Sequence, residues 1–319
     1  MAVSVCDLED NCGATQDITN TATENAYFAQ LGFSKDNHAY VTFNEAPNLG
    51  SLQGMRGIMK TYNSTTKTWD EVCGDLPLNG KVVSAPLFIG KYAYVVYSQK
   101  LSSRTVTNVM SCNIQSTSGT WVNVSNDSNL ATGSVWYPQI RDFNGSVTAF
   151  FRQSPNGGDC DKSQNCAIYA SKLVNDSWVA LGQAGSGQFS NATKISGGSN
   201  ADLQNPTIQN GKLFVSFLED TDLGSGELWQ PLVREYDPAT NEWSNFCGGA
   251  IPDAKQSRKW SQGAGGFIFG QNDQPSFITY SQIIGSNDQI DLQNKTYTAA
   301  IAAVSDTHLR AHETREDLV

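Results

Sequence analysis

"GKYAYVVYSQ", residues 90–99, runs from a Gly-Lys turn through alternating aromatic and β-branched residues to a polar pair. Tyr92, Tyr94 and Val96 alternate with Ala93, Val95 and Tyr97, and both sets are largely apolar, which is the pattern of a strand buried on both faces. The same ending recurs in "AYVTFNE" (39–45), "VTAFFRQ" (147–153), "LFVSFLE" (213–219) and "SFITYSQ" (276–282). Each has an aromatic residue followed two positions later by Glu or Gln: Phe43/Glu45, Tyr97/Gln99, Phe151/Gln153, Phe217/Glu219 and Tyr280/Gln282. The copies are roughly 54–66 residues apart, so the chain is an array of supersecondary units.

Each unit holds further strands. "SAPLFIGK", "YPQIRDFNGS", "NPTIQNGK" and "GGFIFGQNDQ" precede four of the copies, and Asn144-Gly145 and Asn210-Gly211 are two-residue hairpin signals. A third strand follows, as in "GIMKTYNS", "NVMSCNIQ", "AIYASKLV" and "LVREYDPA". A fourth is marked by Trp69, Trp121, Trp178 and Trp243. Four antiparallel strands per repeat predict an all-β β-propeller, with five blades as the leading count and six or more if the chain is truncated. "YDPATNEW" (236–243) and "YNSTTKTW" (62–69) resemble the third-to-fourth-strand turn of kelch-type blades, and "QSTSGTW" (115–121) resembles a sialidase-type turn that has lost its Asp. The kelch Gly-Gly pair is missing, so the resemblance implies architecture and no particular activity. Residues 1–304 are expected to form one propeller domain, with 1–24 as a ring-closing strand plus loop.

Composition agrees with this reading and excludes other classes. Charged residues make up 16% of the 319 and the formal net charge is −10, which argues against nucleic acid or anionic membrane as partner. No apolar run is long enough for a membrane span, and "MAVSVCDLED" carries no visible signal peptide. Residues 305–319, "SDTHLRAHETREDLV", resemble conceptual translation of sequencing-adapter read-through, which puts the end of the folded part near Val304. Cys6/Cys12 and Cys160/Cys166 both fit C-D-x-x-x-N-C and are disulfide candidates, which favours an extracellular or cell-surface location. Sequons at Asn63, Asn123, Asn126, Asn144, Asn175, Asn191 and Asn294 fit the same glycoprotein setting.

For function, the Glu/Gln series (Glu45, Gln99, Gln153, Glu219 and Gln282) is expected at one mouth of the propeller, where it either binds ligand or ties blade to blade. Trp136, Tyr137 and Trp260 are not repeated, and aromatics beside amides and carboxylates make a stacking platform for sugar rings. With the tail set aside His38 is the one histidine, so triad hydrolysis and the copper site of galactose-oxidase-like kelch propellers are excluded. The leading expectation is an extracellular lectin- or adhesin-like propeller whose partner is a glycan or glycoprotein. The alternatives are a glycoside hydrolase using Glu45 and Glu219 as a carboxylate pair, as in five-bladed glycoside hydrolases, and a kelch-like scaffold for another protein. Those hydrolases also carry a carboxylate where a first strand starts, and the corresponding residues here are Ser84, Trp136, Asn205 and Gly263. No metal or cofactor is expected, calcium at the oxygen-rich loop 218–227 being the one weak signal.

Overall fold

The computed structural model describes residues 2–3, 16–19, 25–46, 54–101, 105–116, 118–125, 130–132, 135–154, 160, 166–185, 189–197, 200–209, 211–220 and 229–250, and the backbone of strands 264–269, 275–282 and 298–303. Every regular element longer than a turn among them is a β-strand. The chain divides into two compact units, residues 1–164 with 169–194 and residues 165–168 with 195–319.

The first unit opens with the short strands β1 (Ala2–Val3) and β2 (Gln16–Asp17), which pair with each other. Both strands lie in residues 1–24, the segment expected to close the ring. The first full sheet runs β3 (Asn25–Phe33), β4 (Ala39–Ala46), β5 (Arg56–Asn63), β6 (Thr68–Glu71), in chain order. In the second, β7 (Gly80–Val82) and β8 (Leu87–Ile89) share one edge of β9 (Tyr92–Lys100). Beyond β9 lies β10 (Thr105–Asn113), whose outer edge is shared by β11 (Val122–Asn123) and β12 (Ala131–Thr132). The third sheet is β13 (Trp136–Phe143), β14 (Ser146–Gln153), β15 (Ala167–Val174) and β16 (Ser177–Ala180), with β17 (Thr193–Lys194) also pairing β15. The second unit holds β18 (Asn200–Gln209), β19 (Lys212–Asp220), β20 (Trp229–Asp237) and β21 (Glu242–Ala250), then the three strands β22 (Ala264–Phe269), β23 (Pro275–Gln282) and β24 (Thr298–Ala303). All these pairings are antiparallel and the long strands of each sheet follow chain order, so each sheet is a meander, with β7, β12 and β17 as short additions that pair beyond their chain neighbours. The fold is an all-β β-propeller.

The repeated strand is the second of each sheet, β4, β9, β14, β19 and β23, and in the first four, whose side chains are described, both apolar faces are covered. Phe43, Tyr97, Phe151 and Phe217 have at most 1% exposure, as expected of core positions. On β4 the alternation is resolved side by side. Val41 and Phe43 join Ile18 and Ile58 in one cluster, with Trp69 against it. Tyr40, on the opposite face, joins Val82, Phe88, Val95 and Tyr97 of the second sheet in another. Trp121 completes that second cluster and donates its indole N–H to the Gly74 carbonyl at 3.0 Å, so this tryptophan packs between sheets. Its fellows do something more local: Trp69 lies opposite Tyr62, and Trp243 opposite Tyr236, with ring centroids 5.4 and 5.3 Å apart.

A covalent tie that the sequence pattern did not suggest joins the first two sheets. Cys73, just beyond β6, is bonded to Cys112 on β10, with Cα atoms 6.1 Å apart. Cys160 and Cys166 are buried and each is in a disulfide, as expected of oxidised cysteines. Cys6 and Cys12 lie outside the described residues, as do the loop 221–228 and the tail 305–319.

Candidate functional site: a cleft at the bulged first strands

The first strand of each sheet is interrupted, and at nearly the same place. Pairing with the second strand shifts between Tyr27 and Gln30 on β3, between Trp136 and Gln139 on β13, between Asp202 and Asn205 on β18, and between Ala264 and Phe267 on β22. In the second sheet the strand is broken outright, β7 and β8 being separated by residues 83–86. Bulges bend a strand and re-aim the side chains beside it. Aligned on the second strand, Gln30 faces Thr42, Gln139 faces Phe150 and Asn205 faces Ser216, each partner immediately preceding the repeated aromatic. Ser84 takes the matching place at the break, where its hydroxyl accepts the Val96 amide at 2.8 Å in lieu of a ladder carbonyl.

Within the first unit, three of these irregularities surround one cleft of about 330 Å³. Its wall includes Gln30 from β3, Ser84 and Ala85 from the β7–β8 break, and Pro138, Gln139 and Arg141 from β13. Gln139 and Arg141 are two apart on one strand and so share a face. The Arg141 guanidinium donates to Gln139 Oε1 at 2.6 Å and to its neighbour's carbonyl, Ile140 O, at 2.9 Å. Both bonds fix the planar group against its own strand. Burial pulls its pKa below the usual arginine value, the signature of a desolvated cation. The adjacent carboxylate, Asp142, serves the hairpin instead, its Oδ1 accepting the Gly145 amide at 2.9 Å.

The residues expected to carry function are placed variously. Glu45 has no exposure and its carboxylate takes a charge-assisted bond from Arg56 at 2.9 Å, while Arg56 also reaches Asp75 at 3.1 Å. Gln99, partly exposed, donates to the Leu78 carbonyl at 3.2 Å, in the segment that leads from the first sheet into the second. Gln153 is 1% exposed. Glu219, 5% exposed and in the second unit, lies beneath the exposed Gly197: a Cβ there would meet Arg234 Nη2 at 3.4 Å and Glu219 Oε2 at 3.8 Å. Trp136 is set by its backbone opposite Arg152, but its side chain and those of Tyr137 and Gln282 lie outside the described residues, as does all of Trp260.

The tie between the first two sheets falls to the residue next to Glu45. The Asn44 amide donates to the Val82 carbonyl at 2.9 Å and accepts the Val82 amide at 2.7 Å, a side chain standing in for a strand. Gln30, Gln139 and Arg141 were not singled out by sequence reading. The signal that finds them is the register: they lie on first strands, at or just after the residue facing the position before the repeated aromatic.

No protein-family model matches the chain, and no curated protein matches its sequence. Solved structures do match in fold. A complex of the GH93 alpha-L-arabinofuranosidase of Fusarium graminearum with arabinobiose aligns at a TM-score of 0.50 and 12% identity, over 82% of this chain and 77% of that one. Penicillium chrysogenum alpha-L-arabinanase complexed with arabinobiose aligns at 0.49 and 12%, over 81% and 75%. The GH43 endo-arabinanase from Bacillus licheniformis aligns at 0.35 and 13%, over 86% and 92%. At such identities the likeness is one of fold. The first of these structures supports the propeller, and is not specific to kelch-type or sialidase-type repeats.

Proposed function

We propose that this protein acts on a carbohydrate, as a glycoside hydrolase in preference to a lectin. The observation that carries the reading is the cleft: about 330 Å³, walled by two amides, a hydroxyl and a guanidinium on a backbone of first strands. That volume is at the lower end for small-molecule sites, and such polar groups on a rigid sheet suit the hydroxyl rim of a sugar. The fold likeness to an arabinofuranosidase in complex with arabinobiose supports hydrolysis over recognition alone. Glycosidic cleavage calls for two carboxyl groups. The candidates remain Glu45, which is bonded to Arg56, and Glu219, which lies in the second unit near Gly197 and Arg234. The disulfides and the glycan ligand together favour an extracellular setting.

The test is digestion of a polysaccharide panel that includes arabinan, read by release of reducing ends and run in parallel with binding. Turnover that falls at least about 100-fold in Glu219→Gln is expected, in line with loss of a general acid or base. Binding that depends on Gln30 and Gln139 without turnover would restore the lectin reading. A protein that neither binds nor cuts any member of the panel is not a carbohydrate protein.

A further inference from the structure

We propose that Asn144 and Asn175 are attachment sites for N-linked oligosaccharides, carried on two matching hairpins of the third sheet. The inference goes beyond the carbohydrate activity and rests only on the extracellular setting. Five of the Asn-x-Ser/Thr sequons lie wholly on described residues, at Asn63, Asn123, Asn144, Asn175 and Asn191. As sequence they are alike, and the fold separates them. Asn144-Gly145 joins β13 to β14 and Asn175-Asp176 joins β15 to β16, each as a two-residue hairpin. Both central residues have positive φ, 54° and 76° in the first turn and 48° and 57° in the second, as a type I′ turn requires. Each sequon therefore takes the same three places: asparagine first in the turn, then its partner, then the serine that opens the next strand. Asn144 and Asn175 are exposed, and neither side chain holds a hydrogen bond among the described residues.

The other three sequons are engaged. Asn63 is half-buried; its Oδ1 accepts the Thr65 and Thr66 amides at 3.0 and 3.2 Å, and its Nδ2 donates to Asp70 at 3.0 Å. Asn123 Oδ1 accepts the Ser125 amide at 3.2 Å, and that serine is 1% exposed. Asn191 is half-buried and its Thr193 is buried. A glycan is bulky and hydrated, so it fits where the asparagine and its surroundings already face water. Attachment exchanges one N–H of the asparagine amide for a bond from Nδ2 to the anomeric carbon of the sugar. The donor is an oligosaccharide linked to a lipid pyrophosphate. Its anomeric C–O bond breaks, the lipid pyrophosphate leaves with that electron pair, and the amide proton passes to a base. At Asn144 and Asn175 this exchange costs the fold no bond, since the Gly145 amide is held by Asp142. In a meander the first and third turns lie at one end of the sheet, here the end away from Trp136 and Gln153.

The experiment is secretion of the full chain behind a cleavable leader from a eukaryotic host, read by glycopeptide mass spectrometry. The leader brings the protein to the glycosylating compartment, so the outcome reports on the acceptor sites and is separate from native targeting. Glycan is expected at both Asn144 and Asn175, with the higher occupancy at Asn144, because Asp176 sets a carboxylate inside the second acceptor tripeptide. Ser146→Ala and Ser177→Ala remove the hydroxyl that defines a sequon and leave the left-handed asparagine of the turn in place. Each should abolish the glycan of its own hairpin alone, whereas Ser146→Thr and Ser177→Thr should keep it. Circular dichroism on each secreted variant establishes that the sheets are intact. Absence of glycan from either asparagine would overturn the inference, as would higher occupancy at Asn63, Asn123 or Asn191 than at Asn144. The carbohydrate reading is decided separately, on the digestion panel.

Discussion

Asn44 illustrates how one side chain can hold two sheets in register. Its amide offers a donor and an acceptor with the spacing of a peptide group, and both are used on Val82, at 2.9 and 2.7 Å. The site is dry: Asn44 and Val82 have no exposure. Removing the amide would strand a buried N–H and a buried C=O, each costing about 1–3 kcal/mol. Asn44→Ala is therefore expected to destabilise the protein by about 2–4 kcal/mol in urea unfolding. Asn44→Asp should be no better, because a carboxylate cannot donate to the Val82 carbonyl. Tyr169 gives a residue-scale prediction in pH. It stacks on Phe189 with centroids 4.1 Å apart, and burial pushes its phenol up to about 12. An unfolded tyrosine ionises near 10. The neutral ring's contribution, about 2–3 kcal/mol, is thus complete below pH 10 and is lost as pH rises from about 10 to 12. Absorbance at 295 nm should show this residue ionising together with loss of near-ultraviolet circular dichroism, and Tyr169→Phe should move the alkaline transition upward.

The hairpins between third and fourth strands show which features of an element are readable in sequence. "YNSTTKTW" and "YDPATNEW" are alike because the same bonds close them. Asn63 Oδ1 accepts the Thr65 and Thr66 amides at 3.0 and 3.2 Å, and Asp237 Oδ1 accepts that of Ala239 at 2.8 Å. Each turn then needs a left-handed residue before the tryptophan strand, Lys67 at φ 57° and Asn241 at φ 57°. Asparagine tolerates that conformation and lysine does so at a cost. Lys67→Asn or Lys67→Gly should raise stability by about 0.5–1 kcal/mol, and Asn241→Ala should lower it by a similar amount, both measurable as shifts in thermal midpoint. Strand identity and turn chemistry are local, so the repeated aromatic, the Asn-Gly hairpin at 144–145 and the Trp strands were all legible. The bulges were not, because an extra residue in a first strand looks like ordinary sequence until its partner is known. Gln30, Gln139 and Arg141 owe their position in the cleft to those bulges, and the site was hidden with them.

At the scale of the whole molecule, a propeller has to hold successive sheets together, since each shares with the next only a packed face and a single connection. Between the first and second sheets the protein uses three devices: a shared apolar cluster, the Asn44 clamp and the Cys73–Cys112 bond. Cysteine position hinted at none of this. Cys73 ends a tryptophan strand as Cys247 does, and Cys112 stands where the other hairpins carry Tyr62 and Tyr236, so the covalent link replaces an aromatic pair at one copy of a repeated place. The closed loop spans a sequence separation of 39 residues. In the chain-entropy account, cross-linking a loop of that length restricts the unfolded state by about 4 kcal/mol. Cys73→Ser and Cys112→Ser should each lower unfolding stability by about 2–4 kcal/mol, and the double variant by little more than either alone, because one bond is lost in every case. The Cys112 variants should be somewhat the worse, since that sulfur is 1% exposed in the shared cluster and a hydroxyl there is buried without its disulfide. Urea titration of the three variants with the other disulfides intact tests this, and a double variant that loses the sum of the two singles would mean that the bond contributes little and the side chains act separately.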